Sequence, residues 1–196
     1  MSKQNEVVPA FLLGLASRPT LEVSMSNSEY APPSGSAFPP VLDACCGGRS
    51  FWFDKADPRC LYVDKRRETL QIDKRPHEGP LVVNPDMLAD FTNLPFPSDT
   101  FALVVFDPPH FRSVGDTSRT AKYYGKLPED WRDLLRKGFS ECFRVLRPDG
   151  TLIFKWCAYE IPVRDVLALT DIKPLVGQKH REFTKTHWIA FLKPNK

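Results

Sequence analysis

The chain has 196 residues, a formal net charge of +3 and 26% charged residues. That length suits one domain with a full core, and the mild basicity permits nucleic-acid binding without demanding it. Five cysteines with no CxxC pair exclude a disulfide framework and point to reduced thiols in a cytoplasm. Adding His180 and His187 to those cysteines gives no zinc-ligand spacing, so no metal is expected.

Residues 1–38 read as a flexible tail. Ala10 to Ala16 is apolar but too short to span a bilayer. It lacks a preceding basic run and a cleavage site, so neither a signal peptide nor a membrane partner is expected. Ser24 to Pro40 is rich in Ser and Pro and has linker composition. The folded domain is placed at 39–196.

Pro39 to Asp43 is a short first strand, and Ala44-Cys45-Cys46-Gly47-Gly48-Arg49-Ser50 is the turn after it. Phe51 to Lys55 is expected as a brief helix capped by Ser50. Leu61-Tyr62-Val63 is a second strand ending in Asp64. About twenty residues separate Asp43 from Asp64, the spacing between a cofactor-facing turn and an acidic residue that binds ribose hydroxyls. Thr69 to Ile72 and Leu81 to Val83 form a hairpin where a crossover helix is usual. Met87-Leu88-Ala89-Asp90 is a third strand, and Pro95-Phe96-Pro97 a turn.

Phe101 to Phe106 is a short apolar run rich in Val and Phe, the pattern of a strand buried on both faces. Asp107-Pro108-Pro109-His110 follows. Each proline fixes φ and lacks an N–H, so the strand stops and leaves a rigid cluster of acceptors. Open α/β sheets place ligands at such strand ends. A cluster of that kind suits a hydrogen-bond donor such as the amino group of a base.

Phe111 to Leu127 is a long polar loop of the sort that is usually functional. Tyr123 is a candidate stacking ring there, and Arg112, Arg119, Lys122 and Lys126 are candidate phosphate contacts. Pro128 to Leu146 is a helix, with Trp131, Leu135, Phe139, Cys142 and Phe143 at three- and four-residue spacing. Pro148-Asp149-Gly150 is a turn, Thr151 to Trp156 a strand, and Val163 to Leu169 a short helix. Ile172 to Val176 and Trp188 to Leu192 close the chain as a hairpin. The order implies a Rossmann-like, doubly wound α/β fold: a mostly parallel seven-stranded sheet, helices on both faces, and a C-terminal antiparallel hairpin.

The succession Asp43, Asp64, Asp90, Asp107-Pro108-Pro109-His110, helix, Arg147-Pro148-Asp149-Gly150 and strand resembles class I S-adenosylmethionine-dependent methyltransferases. Leu42-Asp43-Ala44-Cys45-Cys46-Gly47, Phe51 to Lys55, Asp90 to Pro97 and Val105 to His110 resemble a narrower group, the small methyltransferases of bacteriophages and prophages that carry a DPPH motif. The resemblance covers about residues 39–194 and leaves the tail outside it. It implies S-adenosyl-L-methionine as cofactor. Asp43 and the backbone of Cys45, Cys46, Gly47 and Gly48 would line its methionine part, Asp64 would hold the ribose, and Asp90 with Phe91 the adenine. Asp107, Pro108, Pro109 and His110 would hold the target. Cys45 and Arg49 stand where the family has its first and third glycines. His110 stands where amino-methyltransferases carry Tyr, Phe or Trp, and an imidazole can stack, donate or act as a base.

The implied activity is methylation of an exocyclic amino group of a nucleic-acid base, DNA adenine first, in a bacterial host cytoplasm if phage-encoded. A duplex base would have to be flipped out to reach such a pocket. Two alternatives stand beside this one: methylation of a small molecule, RNA or protein with His110 as general base, and a non-catalytic cofactor-binding protein that acts through a partner.

Overall fold

The computed structural model describes residues 38–71, 79–178 and 185–195. Residues 1–37 of the tail, Ile72 and His180 lie outside them.

Seven strands form one sheet: β1 (Val41–Asp43), β2 (Cys60–Asp64), β5 (Met87–Leu88), β6 (Phe101–Phe106), β7 (Leu146–Cys157), β8 (Val176–Gly177) and β9 (Thr186–Leu192). Their order is β5-β2-β1-β6-β7-β9-β8. β5, β2, β1, β6 and β7 run parallel to one another. β9 runs antiparallel between β7 and β8. This is the mostly parallel, Rossmann-like sheet with an antiparallel C-terminal end that the sequence implies. β3 (Glu68–Leu70) and β4 (Leu81–Val83) pair as a separate hairpin where a crossover helix is usual.

The chain leaves β1 outward through β2 to β5, then crosses back to β6 on the other flank of β1. The strand order reverses there, so the carboxyl ends of β1 and β6 border the crevice where open sheets bind ligands. β6 can be central because Val104, Val105 and Phe106 are all buried. A strand with apolar side chains on both faces has no stable place at a wet edge.

Alternation along the strands makes two faces. Leu42, Val63, Val104, Phe106, Leu152, Phe154 and Trp156 enter the main core. Helix α2 (Trp131–Val145) buries Trp131, Leu135, Phe139, Cys142 and Phe143 against them. Phe139 lies 5.5 Å from Phe106 and 4.9 Å from Phe154, centroid to centroid. Helix α3 (Val163–Leu167) buries Val166 in the same core. Helix α1 (Arg119–Tyr124) buries no residue. Cys46, Cys60 and Tyr62 form a smaller cluster with Val41 and Trp52 on the opposite face.

Several local expectations need correction. Among the described residues the second face carries no helix. Phe51 to Lys55 is a run of turns and bends, because Trp52 turns inward to a buried carboxylate instead of joining a helical stripe. The third strand ends at Leu88, since the Asp90 side chain captures the Thr92 amide and starts a turn. Pro148-Asp149-Gly150 lies inside β7 as an irregularity, with a register shift opposite Phe101 to Leu103 and Asp149 at φ 57°. Lys193 accepts from the Asp149 amide and donates to the Gly150 carbonyl, so β9 keeps this stretch in the sheet.

Candidate active site

A cleft of about 700 Å³ opens at the carboxyl ends of β1, β2 and β6. That size suits a small-molecule ligand. Its floor is the turn from Ala44 to Phe51, its sides include Asp64, Phe91 and Asp107, and its roof is formed by Leu81 of β4 and by Tyr123 and Tyr124 of α1.

The turn is closely held. Gly47 has φ 49°, a conformation that glycine adopts without strain. Its N–H donates to Asp64 Oδ2 at 2.9 Å. A Cβ on Gly48 would come within 2.8 Å of Leu81 Cδ1, so the glycine lets Leu81 of β4 pack closely on the turn. Arg49, at φ 53°, reaches away from the turn to the Asn84 carbonyl at 2.8 Å and Asp86 Oδ1 at 3.2 Å. Its guanidinium lies 3.7 Å from the centroid of Tyr62. Arg49 therefore fastens the turn to the β4–β5 connection.

Asp43 lies beneath this turn, fully buried. Its Oδ2 accepts from Trp52 Nε1 at 2.7 Å and its Oδ1 from the Cys45 amide at 3.3 Å. Burial pushes its carboxyl up to about 7, against those two bonds. Cys45 borders the cleft half-buried, and Cys46 packs into the second-face cluster. Burial raises both thiols well above their usual range, so neither is a ready nucleophile.

Asp64 ends β2 and lines the cleft, with Arg66 donating its amide to Oδ1 at 2.9 Å. An ionised carboxylate has about four acceptor positions, so capacity remains for a ligand. Asp90 is half-buried behind the lining, its Oδ1 held by the Thr92 amide and hydroxyl at 2.9 and 2.8 Å. Phe91 borders the cleft and stacks edge-on with Phe106 at 5.2 Å. The loop bearing both is tied down by α2: Glu141 accepts from the Leu94 amide, and Arg144 donates to the Leu94 and Phe96 carbonyls.

Asp107, Pro108 and Pro109 reach the cleft from the end of β6. Oδ2 of Asp107 accepts from Lys155 Nζ at 2.5 Å. Oδ1 is buried and, among the described residues, has no partner. This carboxyl lies above its ordinary range: burial pushes it up, and the Lys155 charge and hydrogen bond offset only part of that. His110 is 5% exposed and sits behind the prolines. It lies 4.4 Å from Phe111, 5.5 Å from Tyr124 and 6.0 Å from Trp156. Its Nδ1 faces the Pro108 carbonyl at 3.4 Å, and burial lowers its pKa, favouring neutral imidazole. The rings at the cleft itself are Phe51, Phe91, Tyr123 and Tyr124.

Sequence reasoning brought together Gly47, Gly48, Asp64, Phe91, Asp107 and the two prolines, and the fold assembles these around one cleft. It missed Lys155, Arg66 and the polar role of Trp52. A lone lysine inside Leu152-Ile153-Phe154-Lys155-Trp156 was the visible sign, since a solitary cation in a central strand needs a buried partner.

No family model and no curated protein matches the chain. Solved structures do resemble its fold. One is a SAM-dependent methyltransferase from Leishmania major, 17% identical, covering 78% of this chain and 63% of its own, with a TM-score of 0.47. Another is a TehB-like SAM-dependent methyltransferase from Corynebacterium glutamicum, 16% identical over 81% of this chain and 82% of its own, TM-score 0.48. A third is the 1,6-didemethyltoxoflavin-N1-methyltransferase of Burkholderia thailandensis, with bound 1,6-didemethyltoxoflavin and S-adenosylhomocysteine, 14% identical over 79% of this chain and 71% of its own, TM-score 0.44. The chain thus spans less than two thirds of the Leishmania protein.

Proposed function

We propose that this chain is an S-adenosylmethionine-dependent methyltransferase that methylates an exocyclic amino group of a nucleic-acid base, with DNA adenine first among targets. One observation carries the reading. A buried carboxylate oxygen, Asp107 Oδ1, stands without a donor beside a cleft floored by a glycine turn at the switch point of the sheet. A buried acceptor left unpaired costs free energy, so a bound molecule is its natural source of a donor.

The residues fit the cofactor. The backbone from Cys45 to Gly48 would hold the methionine part, Asp64 the ribose hydroxyls, and Phe91 the adenine face, with Asp90 behind it. When bound, S-adenosylmethionine supplies a methyl on a sulfonium, which passes to the acceptor nitrogen as the carbon–sulfur bond breaks and a thioether is left. The protein's task is then alignment. Asp107 Oδ1 accepts one N–H of the amino group and the Pro108 carbonyl the other, which favours a pyramidal nitrogen with an available lone pair. Asp107 passes to water the proton that the methylated nitrogen sheds. His110 shapes the Pro108–Pro109 corner from behind, and Tyr123 and Tyr124 offer rings on which a base can stack.

A nucleic-acid acceptor is supported by charge at the mouth. Lys55 and Lys65 line the cleft, and among the described residues neither ammonium has an acidic partner. Two unpaired cations beside a base-sized opening suit backbone phosphates. No helix among the described residues is long and apolar enough to cross a membrane.

Calorimetric titration with S-adenosylmethionine tests the cofactor assignment. Wild type should bind, and Asp64→Ala should bind at least about tenfold more weakly, since hydrogen bonds to a charged group are worth about 1.5–3 kcal/mol. A wild-type protein that does not bind, or an Asp64→Ala protein of unchanged affinity, would count against it.

A further inference from the structure

Lys155 breaks the apolar alternation of β7. Leu152, Phe154 and Trp156 bury on the main face. Lys155 faces the other way, in register with Trp188 of β9. Its Nζ contacts Asp107 Oδ2 at 2.5 Å and lies 5.3 Å from the Phe51 ring centroid and 5.8 Å from that of Trp188. The two aromatic faces and the carboxylate form a nearly dry seat, with side-chain exposures of 17% for Lys155 and 11% for Asp107. Rings attract an ammonium most strongly where water is scarce.

The seat governs what Asp107 can do. A carboxylate in a dry site without a cation takes up a proton. Protonated, it would present a donor and lose half its value as an acceptor for an amino group. The other groups that bear on Asp107 do not replace Lys155. Asp43 and Cys45, at the end of β1, interact unfavourably with its charge, and His110, on its own loop, opposes burial less than Lys155 does. Lys155 and Asp107 also sum to zero charge. A protonated amine entering a dry, neutral site finds no net counter-charge, and a protonated nitrogen has no lone pair for the methyl. A neutral N–H donor finds Oδ1 open.

We propose that Lys155 is a positioning residue that keeps Asp107 ionised with Oδ1 free, and that the neutral pair selects an uncharged N–H donor over a protonated amine as methyl acceptor. The second half rests on the methyltransferase reading above; the first half does not.

The test uses the full chain, with Lys155→Gln, which keeps a donor but no charge, and Lys155→Arg, which restores the charge. The carboxyl carbon resonance of Asp107, assigned by its loss in Asp107→Asn, is followed against pH. Wild type and Lys155→Arg should be ionised at neutral pH. In Lys155→Gln the protonation constant should rise about tenfold or more. A wild-type Asp107 that is protonated at neutral pH overturns the proposal whether or not Lys155→Gln folds. So does a midpoint that does not move in a folded Lys155→Gln protein.

A second arm compares methyl transfer from labelled S-adenosylmethionine to single-stranded DNA and to a lysine-containing peptide. At a pH above the raised Asp107 midpoint of Lys155→Gln, where the carboxylate stands ionised without its cation and the site is anionic, the peptide-to-DNA ratio should rise about tenfold over wild type. An unchanged ratio overturns the selection. If wild type neither binds the cofactor nor transfers a methyl, the methyltransferase reading fails on its own, and the carbon resonance still decides the role of Lys155.

Discussion

The indole N–H of Trp52 donates to Asp43 Oδ2 across 2.7 Å, directly under the turn that carries Gly47 and Gly48. Trp52 thereby links the second face of the sheet to the floor of the cleft. Asp43 is completely buried, and burial lifts its carboxyl from 3.8 to about 7.

The sign of the resulting pH dependence is fixed. The folded state holds a proton on Asp43 that the unfolded chain releases above its ordinary carboxyl range. Stability contributed by this group is therefore present at low pH and lost as pH rises from 3.8 towards about 7. A window of roughly three pH units corresponds to about 4 kcal/mol at most. Asp43→Asn keeps an acceptor for Trp52 and removes the titration, so urea midpoints of the variant should be flatter than wild type across this window. A wild-type slope retained in the variant contradicts the assignment.

Gly138 lets α2 approach β6. A Cβ there would fall 2.6 Å from Phe106 Cζ and 2.9–3.0 Å from the Phe91 ring, both fixed in the core. Alanine gains up to about 1 kcal/mol of helix propensity, but overpacking costs about 1–3 kcal/mol. Gly138→Ala is expected to lower stability by about 1 kcal/mol and to disturb Phe91 at the cleft. A raised denaturation midpoint would show that the rings yield freely.

Much of this was legible in the sequence because the residues have one way to satisfy themselves. The apolar run Phe101 to Phe106 demanded two covered faces and became β6. The spacing of Trp131, Leu135, Phe139 and Cys142 became the buried stripe of α2. What was not legible depended on partners far along the chain. Trp52 reads as part of a brief helix until Asp43 is folded beneath it. His110 reads as a ring offered to the target, yet Phe111, Tyr124 and Trp156 enclose it. Pro148-Asp149-Gly150 reads as a turn, but its backbone bonds to Lys193 draw it into β7. Lys155 finds Asp107 48 residues away, and no local pattern encodes that distance.

Arg66 ties α1 to the Asp64 side of the cleft. It donates to Asp64 Oδ1 at 3.4 Å, Glu68 at 3.0 Å and the Lys122 carbonyl at 3.1 Å. Since α1 buries no side chain, such polar ties carry much of its order. Arg66→Ala should speed amide exchange across Arg119–Tyr124 about tenfold or more and leave β6 protected. Unchanged protection in α1 would mean that it is held by other contacts.

The central claim is methyl transfer aligned by Asp107. Its most direct test is tritium transfer from S-adenosylmethionine to unmethylated DNA, total RNA and a host lysate, with wild type and Asp107→Ala in parallel. Wild type should incorporate label into nucleic acid, found on adenine after digestion of DNA, and Asp107→Ala should lose it while cofactor binding persists. No incorporation into any acceptor by a wild-type protein that binds the cofactor would contradict it.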